Sequence, residues 1–372
     1  MTQKTSLALL FGGRSSEHGI SCVTAGGILA AIDRDRYDVT AIGITRDGRY
    51  LHVSDDPADW QLKDGVAPEV PSSGEEVLLP TGKVEAGQGA QLRIVRDGRL
   101  LPFKRVDVMF PLLHGPYGED GTIQGLFDLI DMPYVGAGVF ASAACQDKHF
   151  TKVLLSAAGL RVADGFMIHE DDYRADGGEL AKRQAQELTL PLFVKPSRAG
   201  SSVGVSRVTD LSQLEQALET AFAEDPRVLV EAGVSGREVE CGVLQETPRG
   251  GIMTTLPGEV RTGDDLDFYD YESKYFGKGT VEIEVPARLE ETQIEQVRAV
   301  AEKAFRAVGL EGLARVDVFV TDDGIVVNEI NTMPGFTPFS MFPVLWAQMG
   351  LSYSELLTHL IELASNRRTG LR

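Results

Sequence analysis

Two short segments rich in β-branched residues, 313–320 (LARVDVFV) and 325–335 (IVVNEINTMPG), are separated only by Thr321, Asp322, Asp323 and Gly324. Val, Ile and Phe suit a pleated, half-buried surface, and so short a link between two such runs reads as a hairpin. A three-residue Asp322-Asp323-Gly324 loop, a type I turn closed by a left-handed glycine, sets Thr321 against Ile325. Counting back, Asp317 falls opposite Glu329 and Arg315 opposite Asn331, and the two-residue period puts all four on one face. Carboxylates directly opposite each other repel, so this face asks for a cation. An all-oxygen Asp317, Glu329 and Asn331 set suits magnesium shared with substrate phosphates, with Arg315 beside it. The competing reading is the solvated side of an antiparallel sheet. The apolar opposite faces and the adjoining Thr332-Met333-Pro334-Gly335 turn weigh against it.

The rest of the chain sets the bounds. Its 372 residues, 43% hydrophobic and 24% charged, suit two or three globular domains. A net charge of −19, with no local basic run, opposes binding to nucleic acid or an anionic membrane surface. Cys22, Cys145 and Cys241 have neither metal-ligand spacing nor the density of a disulfide framework, which fits a reducing cytoplasm. No stretch approaches the roughly 20 apolar residues of a membrane span, and no signal-like pattern opens the chain, so a cytoplasmic protein is expected. Residues 55–91, rich in Pro, Gly, Ser and acids, read as a surface insertion.

Along the chain, a buried strand at 6–11, helical spacing at 21–33 and a strand at 38–44 make a βαβ opening. A second strand at 106–113 runs into a glycine-rich loop and helix. The first ~140 residues are therefore expected to form an α/β domain with its site outside the carboxyl ends of the strands. Glu17 and His18, in GGRSSEHGIS, precede a helix that either attracts a charged ligand or is merely capped by Ser15, Ser16 or Ser21. His114, leaving a strand between apolar and glycine residues, is either a site residue or a structural histidine. Farther on, Lys195 precedes SRAGSSVG, where Gly200, Ser201, Ser202 and Gly204 permit close approach to phosphate or simply form a flexible tip. Glu231 and Glu238 bracket a connector and either read a nucleotide or protect a sheet edge. The aromatic stretch LDFYDYESKYFGKG reads as a lid, with a partner-binding surface as the alternative.

These segments resemble, in order and spacing over nearly the whole chain, the D-alanine:D-alanine ligases of the ATP-grasp superfamily. The resemblance rests on GGRSSEHGIS, PLLHGPYGEDGTIQG, DKHFTK, FVKPSRAGSSVGV, EVECGVL, FYDYESKY, ARVDVFV and NEINTMPGFTPFSMFP. It implies an α/β fold, α+β in its ATP-grasp part: a Rossmann-like parallel-sheet domain followed by a two-lobed ATP-grasp fold. The expected domains are residues 1–143, carrying an insertion near 52–100 without catalytic residues, then 144–234 and 235–372.

The implied reaction is ATP-dependent joining of two D-alanines through an acyl phosphate and a tetrahedral intermediate, supplying peptidoglycan precursors. Asp317, Glu329 and Asn331 match the ligands of two magnesium ions, for which manganese can substitute. Lys148 and Lys195 match the lysines that hold the ATP phosphates, and Lys274 the lid lysine that meets the transferred phosphoryl group. Glu231, Ala232 and Val234 line the nucleotide, and Glu238 matches the ribose-binding glutamate; Ala232 departs from the lysine of some members. Glu17 matches the carboxylate for the first ammonium group, and His114 the histidine near the reacting carboxyl. Arg315 and the Gly335 N–H match the oxyanion donors, and Ser340 with the Met341 N–H the grip on the second carboxylate. Ser201 and Tyr275 resemble the pair linking hairpin and lid through Glu17, and Tyr275 favours an amine as second nucleophile. A homodimer formed through the N-terminal domain is also implied.

Overall fold

The run Leu7 to Phe11 has no polar face, so it is stable as a strand only when covered on both sides. In the structure, a computed structural model describing residues 4–85, 87–262 and 281–367, it lies in β1 (Thr5–Gly12), fully buried. Helix α1 (His18–Ala31) returns the chain to β2 (Tyr37–Ile44), parallel to β1. Four antiparallel strands then extend the sheet: β3 (Tyr50–His52), β4 (Glu76–Leu78), β5 (Ala90–Arg96) and β6 (Arg99–Val106). β7 (Val108–Leu112) pairs with the free side of β1, again in parallel, giving the order β6-β5-β4-β3-β2-β1-β7. The expected strand at 106–113 is thus divided at Asp107, whose carboxylate accepts the Ser6 N–H at 2.8 Å.

The segment near 52–100 is exposed over most of 55–89 but contributes strands to the first sheet. The alternation in AQLRIVR, with Leu92 and Ile94 buried, extends the sheet, a pattern obscured by the surrounding Pro, Gly and Ser. Trp60 is buried edge-on to Phe11 with ring centroids 4.6 Å apart. The Val70 N–H donates to His18 Nε2 at 3.1 Å.

After α2 (Thr122–Leu129), α3 (Val139–Gln146) and α4 (Lys148–Ala157), a second antiparallel sheet begins. It contains β8 (Gly165–His169), β9 (Leu192–Pro196), β10 (Ser206–Val208) and β11 (Arg227–Ala232), in the order β10-β9-β11-β8. Helices α5 (Glu170–Asp176), α6 (Glu179–Gln186) and α7 (Leu214–Phe222) share its core. The third sheet has the order β13-β12-β16-β17, from β12 (Arg237–Thr247), β13 (Gly250–Thr254), β16 (Leu313–Thr321) and β17 (Gly324–Asn331). Between β13 and β16 lie the pair β14 (Glu259–Thr262) and β15 (Val281–Glu284), then α8 (Glu291–Ala307), which buries Val297, Ala301, Ala304 and Phe305 in the core shared with this sheet. Helices α9 (Met341–Gln348) and α10 (Tyr353–Ser365) follow, and α10 packs Leu356, Leu357 and Leu360 into the core that holds Leu7, Leu9 and Phe11.

The β16–β17 hairpin reaches its expected pairing by another route. The loop is only Asp322-Asp323, with Thr321 opposite Gly324 and Val320 opposite Ile325, so the expected three-residue loop is corrected. Thr321 Oγ1 accepts the Asp323 N–H at 3.2 Å and donates to Gly324 O at 2.8 Å, tightening the turn. A bulge at Asn328, between the pairs Val318–Val327 and Asp317–Glu329, absorbs the one-residue difference. Asp317 therefore still faces Glu329, and Arg315 still faces Asn331.

Because Trp60 belongs to the core, Trp60→Ala is expected to destabilise the protein by roughly 3–5 kcal/mol. Denaturant unfolding measures this, and a change below about 0.5 kcal/mol would remove Trp60 from that core.

Candidate active site

The carboxyl ends of β1 and β7 open a cleft at the edge of the parallel strands. Gly12 has φ +91°, and a Cβ there would lie 2.5 Å from Ile44 O, so only glycine lets the chain leave β1 in this direction. His18 does not face a ligand: Nδ1 lies 2.6 Å from Gly13 O and Nε2 accepts from Val70, so both nitrogens brace the loop. Glu17 instead turns toward a second loop. Its Oε1 accepts from Ser201 Oγ at 2.7 Å, joining the loop after β1 to the loop after β9.

His114 leaves β7 beside Glu17. A Cβ on the next residue, Gly115, would meet Glu17 Oε2 at 2.8 Å. The imidazole is buried, and Nε2 has no hydrogen-bond partner among the described residues. Burial holds its pKa below the ordinary value, against the opposing pull of Glu17 and a bond to the Met333 backbone, so the neutral ring is favoured. Glu119 accepts the Gly115 N–H at 2.7 Å and the Met333 N–H at 3.3 Å, tying this cleft to the loop after β17. Burial, then the charge of Glu17, pushes its carboxyl up to about 8.

A second cluster is built on lysines. Asp147 caps α4, accepting the N–H groups of His149 and Phe150, and Lys148 opens that helix. The Lys148 ammonium donates to Ala199 O, and burial lowers its pKa against the favourable field of Glu329. Lys195 and Lys152 both engage Glu231, Lys195 through Oε1 and Lys152 at 3.0 Å from Oε2. Burial alone would raise the Glu231 pKa, but the two ammonium groups hold it below the ordinary value. Ser201 and Ser202 stand in the left-handed region within the loop between β9 and β10.

The third cluster is the predicted hairpin face. Arg315 donates through Nε and Nη2 to Asp317 at 2.7 and 2.6 Å, and its Nε lies 2.8 Å from Glu240 Oε2. Burial opposes the guanidinium charge, yet Asp317, Glu240 and Glu329 raise its pKa well above normal. Asn331 Nδ2 donates to Asp317 Oδ2 at 3.0 Å. Among the described residues, no three His, Cys, Asp or Glu side chains form a ready metal cage. Two opposed carboxylates and an amide would suit a hard divalent cation.

Other expected residues sit at the margins. Glu238 is exposed on β12 and accepts from Asn328 Nδ2 at 3.1 Å. Ala232 ends β11 with its N–H given to Asp164 O at 2.8 Å, and Val234 lies in the connector to β12. Gly335 lies in the loop from β17 to α9. Ser340 is the N-cap residue of α9, its hydroxyl accepting the Thr337 N–H at 3.1 Å, and Met341 opens the helix. Lys274, Tyr275 and the expected lid lie outside the described residues.

A profile described as D-ala D-ala ligase N-terminus matches residues 6–137, and one described as D-ala D-ala ligase C-terminus matches 154–362. The chain belongs to the D-alanine–D-alanine ligase family. It is 50% identical to a D-alanine--D-alanine ligase of Kineococcus radiotolerans, with 99% of each chain covered. Among solved structures, it resembles the VanG D-Ala:D-Ser ligase of Enterococcus faecalis at 33% identity and TM-score 0.80, covering 97% of this chain and 100% of that one. The Coxiella burnetii D-alanine-D-alanine ligase follows at 32% and TM-score 0.78, covering 98% and 95%.

Against that family reading, three polar residues in the clusters escaped the sequence analysis. Glu240 is two residues from Glu238, so strand periodicity put both on one face. Lys152 is four residues beyond Lys148, on the same side of α4. Glu119 stood in PYGEDG with no signal to separate it from an ordinary loop acid.

Glu119 gives a pH test. Its carboxyl is raised from 4.5 to about 8, so the folded state retains a proton that the unfolded chain releases. The resulting stabilisation is full below the unfolded value and is lost as pH rises through about 8. Thermal unfolding of nucleotide-free protein is expected to show falling stability between about pH 5 and 8.5, with a flatter profile for Glu119→Gln. Identical profiles would place the titration elsewhere.

Proposed function

We propose that these three clusters divide the family's reaction among them, with ATP phosphorylating the carboxylate of one D-alanine and the amine of a second displacing the phosphate. The product is D-alanyl-D-alanine, with ADP and phosphate released, for peptidoglycan precursor synthesis. The carrying observation is that one ammonium group touches both the lysine cluster and the hairpin, since Lys152 Nζ lies 3.0 Å from Glu231 Oε2 and 3.5 Å from the backbone oxygen of Asn328, the neighbour of Glu329.

In this reading Lys148 and Lys195 hold the phosphates, with Lys274 joining them from the lid. Glu231, Ala232 and Val234 line the base, and Glu238 takes the ribose. Asp317, Glu329 and Asn331 hold two magnesium ions, or manganese, which when bound neutralise charge on the transferring phosphoryl group. Glu17 receives the ammonium of the first D-alanine, and neutral His114 stands beside its carboxyl. Once the γ-phosphoryl group has moved to that carboxylate, the second amine attacks the acyl carbon. Arg315 and the Gly335 N–H stabilise the tetrahedral oxyanion, and the C–O bond to phosphate then breaks. Ser340 and the Met341 N–H fix the second carboxylate at the start of α9, where backbone N–H groups are unpaired.

Ser201 keeps Glu17 oriented, with Tyr275 completing that link and favouring an amine over a hydroxyl. No helix among the described residues is long and apolar enough to cross a membrane. A cytoplasmic homodimer paired through the N-terminal domain is the setting we propose.

Phosphate release with ATP, magnesium and D-alanine, with the product identified by mass, tests the reaction. L-alanine is expected to give none. Arg315→Lys, which keeps a positive charge beside Asp317 but loses the guanidinium fork, is expected to retain ATP binding while kcat falls about 10²–10³-fold, the loss typical of one oxyanion donor. Full activity in that variant would remove Arg315 from the oxyanion site.

A further inference from the structure

We propose that Lys152 is a positioning residue for ATP: it is the counter-ion that stays with Glu231 when Lys195 turns to the phosphates. This rests on the assignment of Lys195 to the phosphates. The argument begins with a charge imbalance. The Glu231 side chain is only 5% exposed, and the ammonium groups of two lysines whose side chains are 10% and 17% exposed converge on it. One negative charge therefore faces two positive ones away from bulk water. Such a surplus cation is tolerable beside a site that receives a polyanion.

Geometry decides which lysine remains. Lys195 lies on β9, directly before the loop whose Ala199 carbonyl accepts from Lys148, and is the more exposed of the pair. Lys152 lies on α4 one turn after Lys148, and its ammonium also lies 3.5 Å from Asn328 O at the β17 bulge. Asn328 in turn donates to Glu238. Lys152 is thus held between the central sheet and the hairpin sheet, while Lys195 borders the proposed phosphate space. When Lys195 transfers to phosphate, the Glu231–Lys152 pair remains neutral. Without Lys152, the same movement would leave a buried carboxylate unpaired, so Lys195 would be held back.

The test is a double-mutant cycle in the full-length protein, reading ATP affinity with magnesium and KM for D-alanine. Lys152→Met is expected to weaken ATP binding about 100-fold, with KM for D-alanine unchanged. Lys152→Arg is expected to recover most of that loss. In a Glu231→Gln background no charge is left to strand, so adding Lys152→Met is expected to change ATP affinity less than about 3-fold.

Equal loss in both backgrounds, or no loss in either, would overturn the proposal, since simple packing of α4 is indifferent to the charge on Glu231. If Lys152→Met alone does not fold, the comparison of Glu231→Gln with the double variant carries the test. Lys195→Met separates the two levels. Unchanged ATP affinity in that variant would overturn the phosphate assignment itself, whereas weakened affinity beside a normal Lys152→Met would overturn only the counter-ion role.

Discussion

The buried guanidinium of Arg315 is the constraint on which the site depends. It binds Asp317 on its own strand and contacts Glu240 on the neighbouring strand, so a face with three nearby carboxylates, Glu329 included, can assemble in a low-dielectric cleft. The chain's net charge of −19 makes that compensation more important, because the surrounding field is also acidic. What remains is a surface of oxygen donors with a fixed positive group beside them.

The other charged groups follow the same rule at different points of the cleft. Glu231 is offset by two lysines, while half-buried Lys148 lies in the field of Glu329. Glu119 has no cation among its leading influences, and burial beside Glu17 raises its pKa. His114 responds to burial in the opposite direction and loses its proton more readily. Neutral and charged partners are thereby assigned by environment rather than residue type.

Three sheets contribute these groups, and short polar contacts hold their loops together. Ser201 reaches Glu17 across the first boundary, Glu119 reaches the Met333 N–H across the second, and Lys152 lies between Glu231 and Asn328 O. Apolar packing reinforces the arrangement, since α10 from the end of the chain shares the core of the first sheet. The N-terminal and C-terminal parts therefore share one hydrophobic interior, although their strands belong to different sheets.

Local chemistry alone determined the buried strand at Leu7–Phe11 and the β-branched hairpin, because alternation and short connections are properties of neighbouring residues. The family's motifs carried the remaining site assignments. Tertiary structure decided the rest. The hairpin arrived at its pairing through a two-residue turn and a bulge at Asn328, which compensate each other and leave no separate mark in the sequence. Segment 52–100 joined the first sheet because Trp60 and Val70 found Phe11, Gly12 and Gly43 to pack against, contacts invisible in its Pro- and Gly-rich composition. Glu119, Lys152 and Glu240 acquired their places only when separate loops, a helix and a neighbouring strand met, because burial and electrostatic partnership depend on distance in space rather than along the chain.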